Sequence, residues 1–239
     1  MKFPLKGELV DRPCFRVKDD MLELIDQRML PSKVRIIYAA SIPEQVECIR
    51  TLAVRGAPAI GAFGAYSLAL AAKRGENVDD AYKELLSSRP TAVDLRNCMD
   101  RIKETYHQGK DALESAASIY NGIIDSCRRI GEQGARVIGD GARVMTHCNA
   151  GALASIDWGT ALAPIRVKAR EGGDPFVWVS ETRPLLQGSR LTAWELLQEG
   201  IDHRIVVDGA SGYLLAKSPL RQTLSAPVIT RSTFPSLIK

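Results

Sequence analysis

The sequence of 239 residues has few aromatic side chains, few histidines and no long apolar run. Phe, Trp and Tyr make up only 6% of the chain, which argues against a base-stacking surface, so we expect no nucleic acid as a partner. No apolar run reaches the length that spans a bilayer, and the residues after Met1 lack the apolar core of a signal peptide. We therefore expect no membrane partner and a cytoplasmic location.

Cysteine is also scarce, and no two cysteines lie close together in the sequence. Their odd number and wide spacing argue against a disulfide framework and a zinc site, and indicate a reducing compartment. His147 and His203 show no paired ligand spacing, so we expect neither a metal nor a cofactor. The five cysteines are Cys14, Cys48, Cys98, Cys127 and Cys148.

The first part of the chain, residues 1–138, indicates a mostly helical domain that begins with short strands. Up to Ala40, short apolar runs alternate with glycine and proline, which is typical of strands and turns. Ser41 followed by Glu44 predicts a capped helix start, and Pro58 suits the first turn of a second helix that continues to Lys73. Further helices are predicted over 78–86, 92–106 and 111–130.

The second part, residues 139–239, changes to an alternation of strands and helices. Short apolar runs at 144–145, 176–179 and 203–207 predict strands, and helices are expected over 160–170 and 189–199. Repeated crossovers of this kind form a parallel sheet, so the fold class is α/β. The formal net charge of +4 fits an anionic small molecule without requiring nucleic acid.

The stretch Arg143–Ala154 is the centre of the predicted site. Its strand should end near Thr146 and place Cys148 beyond the carboxyl edge of the sheet, where α/β folds bind ligands. A helix N-terminus close by would lower the pKa of the Cys148 thiol. The residues alone leave open a second interpretation, since free cysteines are among the most buried residues and Cys148 would then be structural.

Other polar positions allow two interpretations as well. Arg55 and Gly56 stand at the start of the second predicted helix, which could cradle a phosphate or simply be tightly packed. Arg89 lies in a break between helices and Gln187 in a loop after a strand. Judged alone, both fit solvated surface side chains better than ligand contacts.

Three motifs taken together carry a family resemblance. The sequence resembles the methylthioribose-1-phosphate isomerases of methionine salvage, over about Met21 to Leu215. Their wider superfamily includes ribose-1,5-bisphosphate isomerases and the regulatory subunits of translation initiation factor 2B. The motifs are V-R-G-A-P-A-I-G (Val54–Gly61), T-H-C-N-A-G-A-L-A (Thr146–Ala154) and E-T-R-P-L-L-Q-G-S-R-L-T-A-W-E-L (Glu181–Leu196).

The resemblance implies a helical N-terminal domain, an incomplete Rossmann-like domain and a homodimer that acts on a phosphorylated sugar. The implied reaction is an aldose–ketose isomerisation, which needs one group to take a proton and another to give one. Cys148 is implied as a catalytic acid–base residue. The implied substrate-binding residues are Arg55, Gly56, Ala57, Arg89 and Gln187.

The resemblance stops near Leu215, and the family's second acid–base residue, an aspartate in a G-A-D-R-type segment, finds no match in the residues that follow. Asp208 ends a predicted strand but does not correspond to that aspartate. We therefore expect a chain shortened at its C-terminus, with an atypical tail, an open sheet edge and little or no isomerase activity by itself. Two alternatives remain: a ribose-1,5-bisphosphate isomerase, or a non-catalytic regulatory or binding protein of the initiation factor 2B type.

Overall fold

A computed structural model describes residues 1–5, 7–217 and 222–225. Nine strands and eight α-helices lie within these residues. In chain order they are β1 (Lys2–Leu5), β2 (Glu8–Asp11), β3 (Phe15–Lys18), β4 (Met21–Ile25), β5 (Ile36–Ala39), α1 (Ile42–Arg50), α2 (Ala57–Lys73), α3 (Val78–Ser88), α4 (Val93–His107), α5 (Ala112–Ala135), β6 (Arg143–His147), α6 (Leu162–Arg170), β7 (Phe176–Ser180), α7 (Ala193–Gln198), β8 (His203–Val206), α8 (Ser211–Lys217) and β9 (Gln222–Ser225).

These elements form two compact units, and the boundary between the units falls within α5. The helical unit comprises Arg12–Asp125 and Leu153–Ile156. The sheet unit comprises Met1–Asp11, Ser126–Ala152 and the described residues from Asp157 onward. The two units do not coincide with the predicted domains 1–138 and 139–239, because residues 1–11 belong to the sheet unit. The predicted domain boundaries stay a prediction.

The helical unit combines an antiparallel meander of β3, β4 and β5 with four helices and the first half of α5. The strongly apolar α2 is buried along most of its length, including Phe63 and Leu68. Its small residues let α4 approach, so that Leu95 and Met99 complete the core. Phe15 packs edge-on against Phe63 with the ring centres 5.4 Å apart. The apolar core of this unit therefore lies around α2.

The sheet unit contains a parallel sheet in the order β8, β7, β6, β9. The core includes Val144 on β6 and Val177 on β7, which pack with Ile165 on α6 and Leu196 on α7. Parallel strands place their carboxyl ends at one edge, so the segments after β6, β7 and β8 come together there. A separate β1–β2 hairpin also belongs to this unit.

Most sequence predictions of secondary structure are confirmed. The α/β class, the helical N-terminal part and the parallel strands β6, β7 and β8 are present. Glu44 accepts the backbone N–H of Ser41 at 2.9 Å, as the predicted capped start of α1 requires. Within the described part of the chain, no helix combines the length and the apolar character needed to cross a membrane.

The structure corrects three local predictions. No α-helix follows Cys148 directly, because a three-residue 3-10 turn, Ala152–Ala154, intervenes and α6 begins only at Leu162. The helix predicted over 189–199 begins as a π-helical turn, Gly188–Thr192, and becomes α7 afterwards. A fourth parallel strand, β9, pairs with β6 where an atypical tail was expected. Residues 218–221 and 226–239 of that tail lie outside the described residues.

Candidate active site

Cys148 directly follows β6 and is partly exposed. Its backbone is left-handed, with φ +66°, a conformation that is uncommon for residues other than glycine and needs support from the surroundings. Two threonines supply it: the Cys148 N–H donates to Oγ1 of Thr182 at 2.9 Å, and Oγ1 of Thr192 donates to the Cys148 carbonyl at 2.7 Å. Because Cys148 is partly exposed, it is not a fully buried cysteine, and its catalytic role stays a prediction.

Gln187 reaches the sulfur of Cys148. Its Nε2 lies 3.4 Å from Cys148 Sγ, at the start of the π-helical turn. The next residue must be glycine, because a Cβ on Gly188 would overlap the carbonyl of Ser180 at the end of β7. Oε1 of Gln187 is buried and has no hydrogen-bond partner in the described part of the chain. Such an acceptor suits a ligand hydroxyl group.

A buried charge cluster holds the loop that follows Cys148. Glu195 on α7 is completely buried and pairs with Arg166 on α6, with Oε2 to Nη2 at 2.6 Å. The same carboxylate accepts the N–H of Ala152 at 2.7 Å and the side-chain amide of Asn149 at 2.8 Å. A Cβ on Gly151 would overlap this carboxylate. The cluster therefore fixes the loop backbone and has a structural role.

Burial opposes the charge of Arg166, and the nearby carboxylates of Glu195 and Glu199 outweigh that effect, so the pKa of Arg166 is raised. Arg166 Nε lies 2.8 Å from Oε1 of Glu199. A guanidinium that stays charged while only 2% exposed needs such partners, since an unpaired buried charge is costly.

Asp208 connects the ends of β7 and β8. Its carboxylate accepts the Ser180 hydroxyl and the backbone N–H groups of Thr182 and Arg183, the last two at 2.8 Å. The hydrogen bonds from Ser180 and Arg183 lower the pKa of Asp208. Nδ1 of His147 lies 3.1 Å from the Ser180 hydroxyl. The three strand ends therefore share one polar network.

The helical unit holds the remaining predicted substrate contacts. Arg55, Gly56 and Ala57 form the start of α2, and Gly56 has φ +91°. A side chain at Gly56 would overlap the backbone of Ala154, so close packing alone already requires glycine there. Arg89 is exposed and directly follows α3. The structure brings Cys148 and Gln187 together within the sheet unit, while an approach of the helical-unit residues to Cys148 stays a prediction.

Sequence reasoning missed the two threonines and gave Asp208 no role. A small polar residue within a few positions after a predicted strand was the available signal, and it applied to both Thr182 and Asp208. For Thr192 no such signal existed, because it lies within what the sequence indicates to be an ordinary helix.

Comparison with known proteins shows which family the chain belongs to. The model of the initiation factor 2 subunit family matches residues 53–221, which include all three motifs. The chain therefore belongs to the initiation factor 2 subunit family. This class of protein agrees with the observed fold.

Several similar proteins of this family are named as one enzyme, methylthioribose-1-phosphate isomerase. The chain is 43% identical to the methylthioribose-1-phosphate isomerase of Aquifex aeolicus over 213 residues, covering 89% of this chain and 47% of the relative. It is also 43% identical to a putative methylthioribose-1-phosphate isomerase of Methanocaldococcus jannaschii over 204 residues, covering 84% and 62%. The chain thus spans about half to three-fifths of the length of these relatives.

Solved structures give the same fold under two names. The 5-methylthioribose 1-phosphate isomerase of Pyrococcus horikoshii OT3 is 30% identical with a TM-score of 0.84, over 90% of this chain and 65% of that one. The translation initiation factor eIF-2B subunit delta of A. fulgidus is 38% identical with a TM-score of 0.79, over 90% and 68%. Proteins with two different functional names therefore share the fold of this chain.

Proposed function

We propose that this chain binds 5-methylthioribose 1-phosphate and takes part in its isomerisation to 5-methylthioribulose 1-phosphate. The observation that supports this most is the contact between a partly exposed thiol, Cys148, and Gln187, whose Oε1 is buried without a partner in the described residues. A sugar offers hydroxyl donors for that oxygen. The relatives named as isomerases support the choice of this sugar phosphate.

Each proposed residue has a chemical task. Arg55 and backbone N–H groups at the start of the 17-residue helix α2, near Gly56 and Ala57, would hold the phosphate. Arg89 would add a second positive charge. Cys148 would move a proton between the two neighbouring carbons that exchange the carbonyl group, since a positioned thiol can serve as a general acid or base.

Binding is the first test, because it measures recognition of the sugar phosphate separately from catalysis. We expect calorimetric titration of the purified chain with 5-methylthioribose 1-phosphate to saturate at one site. Arg55→Met should weaken binding by at least about tenfold, since a charge-assisted contact to phosphate is lost. Arg128→Met changes an exposed arginine outside the proposed site and should bind normally. Absence of saturable binding would overturn the proposal.

The proposed acid–base role of Cys148 can be tested separately from its effect on binding. Cys148→Ser should keep the affinity within about threefold, because serine fills nearly the same space. It should lose any exchange of substrate carbon-bound hydrogen with deuterated solvent, since a hydroxyl is a far weaker acid–base group at neutral pH than a thiol. An unchanged exchange rate in Cys148→Ser would remove Cys148 from the proposed chemistry.

The two alternative functions predict different results in the binding titration. A ribose-1,5-bisphosphate isomerase would bind that bisphosphate more tightly than 5-methylthioribose 1-phosphate. A regulatory protein, favoured by the 38% identity to a structure named as an initiation factor subunit, would bind neither as a substrate.

We also propose a homodimer, which light scattering on the purified chain tests directly.

A further inference from the structure

We propose that Asp208 is a positioning residue that holds Cys148 through Thr182 and fixes the tautomer of His147 through Ser180. The inference rests on the proposed function only for the acid–base role of Cys148. Its evidence is the hydrogen-bond geometry at the carboxyl ends of β6, β7 and β8.

The first branch runs from Asp208 to Cys148. The carboxylate accepts the N–H groups of Thr182 and Arg183 and thereby holds Thr182 at φ +62°. A β-branched residue rarely adopts this conformation without strong support. Thr182 Oγ1 donates to the Ser180 carbonyl at 3.1 Å, which leaves its lone pairs for the N–H of Cys148. The left-handed backbone of Cys148 thus depends on a threonine that Asp208 holds in place.

The second branch runs from Asp208 to His147. An ionised carboxylate has no proton to give, so the single hydroxyl proton of Ser180 must point to Asp208. Ser180 Oγ can then only accept from His147 Nδ1, 3.1 Å away. The neutral imidazole of His147 therefore carries its proton on Nδ1 and presents Nε2 as a lone pair. Because His147 is exposed and adjacent to Cys148, this places an unprotonated nitrogen beside the thiol-bearing loop.

Two spectroscopic readouts separate the branches without any ligand. Long-range ¹H–¹⁵N NMR distinguishes the two neutral tautomers of the His147 imidazole from each other and from the protonated ring. Amide hydrogen exchange at Cys148 reports the bond to Thr182. The amide of Val144, in the buried part of strand β6, which directly precedes Cys148, is the internal control for general destabilisation.

Each variant should affect its own branch. Ser180→Ala should turn the single Nδ1–H tautomer of His147 into a mixture and leave Cys148 exchange unchanged. Thr182→Val should speed Cys148 exchange by roughly threefold to tenfold, as expected for one lost hydrogen bond, and leave the tautomer unchanged. Thr182→Ser keeps the hydroxyl and should match the wild type. Asp208→Ala should change both signals while Val144 exchange stays constant.

Several results would overturn the inference. They are an Nε2–H tautomer in the wild-type chain, an Asp208→Ala variant in which both signals persist, or changes at Cys148 that appear equally at Val144. A failure to bind sugar phosphates would leave these measurements untouched, so the proposed function and the positioning role of Asp208 can fail separately.

Discussion

Two regions of the molecule bring backbone segments close together by opposite means. In the helical unit, α2 approaches α4 because Gly61 and Gly64 have no side chains, and a Cβ on Gly61 would lie 3.0 Å from the carbonyl oxygen of Asp94. In the sheet unit, the loop after Cys148 is held by the buried carboxylate of Glu195 and its partner Arg166. The first contact is therefore sensitive to volume, and the second is sensitive to charge and hydrogen bonding.

The largest expected effect is on the charge-dependent contact. Glu195→Leu leaves Arg166 buried with Glu199 as its remaining close carboxylate and removes the acceptor of two loop hydrogen bonds. We expect the free energy of unfolding to fall by about 3–5 kcal/mol, the usual cost of breaking a buried ion pair from one side. Urea denaturation followed by circular dichroism measures it.

A matched change of an exposed pair tests whether burial is the cause. On α5, Nη1 of Arg128 lies 2.6 Å from Oε1 of Glu132, and both side chains are nearly half exposed. Glu132→Leu should cost less than about 1 kcal/mol. If it destabilised the protein as much as Glu195→Leu, the contrast between the two regions would be wrong.

The second-largest expected effect is on the volume-dependent contact between α2 and α4. Gly61→Ala adds a methyl group against the Asp94 backbone and Cys98 Sγ, which must move. Overpacking costs about 1–3 kcal/mol, and the better helix propensity of alanine returns about 1 kcal/mol, so we expect a modest net loss of stability. Thermal unfolding should show a lower Tm.

Gly122→Ala on α5 is the control, because a Cβ there meets no atom within 4 Å. Only the propensity gain remains, so this variant should raise stability by up to about 1 kcal/mol. Equal behaviour of Gly61→Ala and Gly122→Ala would show that α2 and α4 do not need the missing side chain.

The smallest expected effect concerns pH. The pKa of Asp208 is lowered by the Ser180 and Arg183 hydrogen bonds, so its ionised form is favoured in the folded chain. This contribution is fully present above the unfolded aspartate pKa and is lost as pH falls through the lower folded value. Asp208→Asn should therefore be less stable than wild type at neutral pH, and the difference should shrink toward strongly acidic pH. Parallel urea titrations across this range measure the difference, and a constant gap would contradict it.

Local signals predicted the helical unit well. Pro58 after Gly56 marked the start of α2, and Ser41 with Glu44 marked α1, because capping and proline constraints act within a few residues. The parallel strands β6, β7 and β8 were predicted from apolar runs and turn residues. The three short strands β1, β2 and β3 were expected only in general terms, since strands of four residues carry little periodic signal.

The candidate site was predicted in part. The position of Cys148 after a predicted strand was recognised from the residues, whereas its role and the choice of Gln187 came from the family resemblance, and the structure places the two side chains in contact. The expected helix N-terminus next to Cys148 is absent, because Glu195 and Asn149 hold the following loop in an irregular conformation. A glutamate in a predicted helix is normally taken as a surface residue, so its burial could not be foreseen.

The sequence by itself determined the fold class, most helix boundaries and the family, because these follow from periodicity, capping residues and motifs that are read along the chain. Only the tertiary structure decided the left-handed Cys148, its contacts with Thr182 and Thr192, and the network of Asp208 and Ser180. The physical reason is that these hydrogen bonds join residues 25 to 44 positions apart. Their geometry exists only once parallel strands have brought their carboxyl ends to one edge.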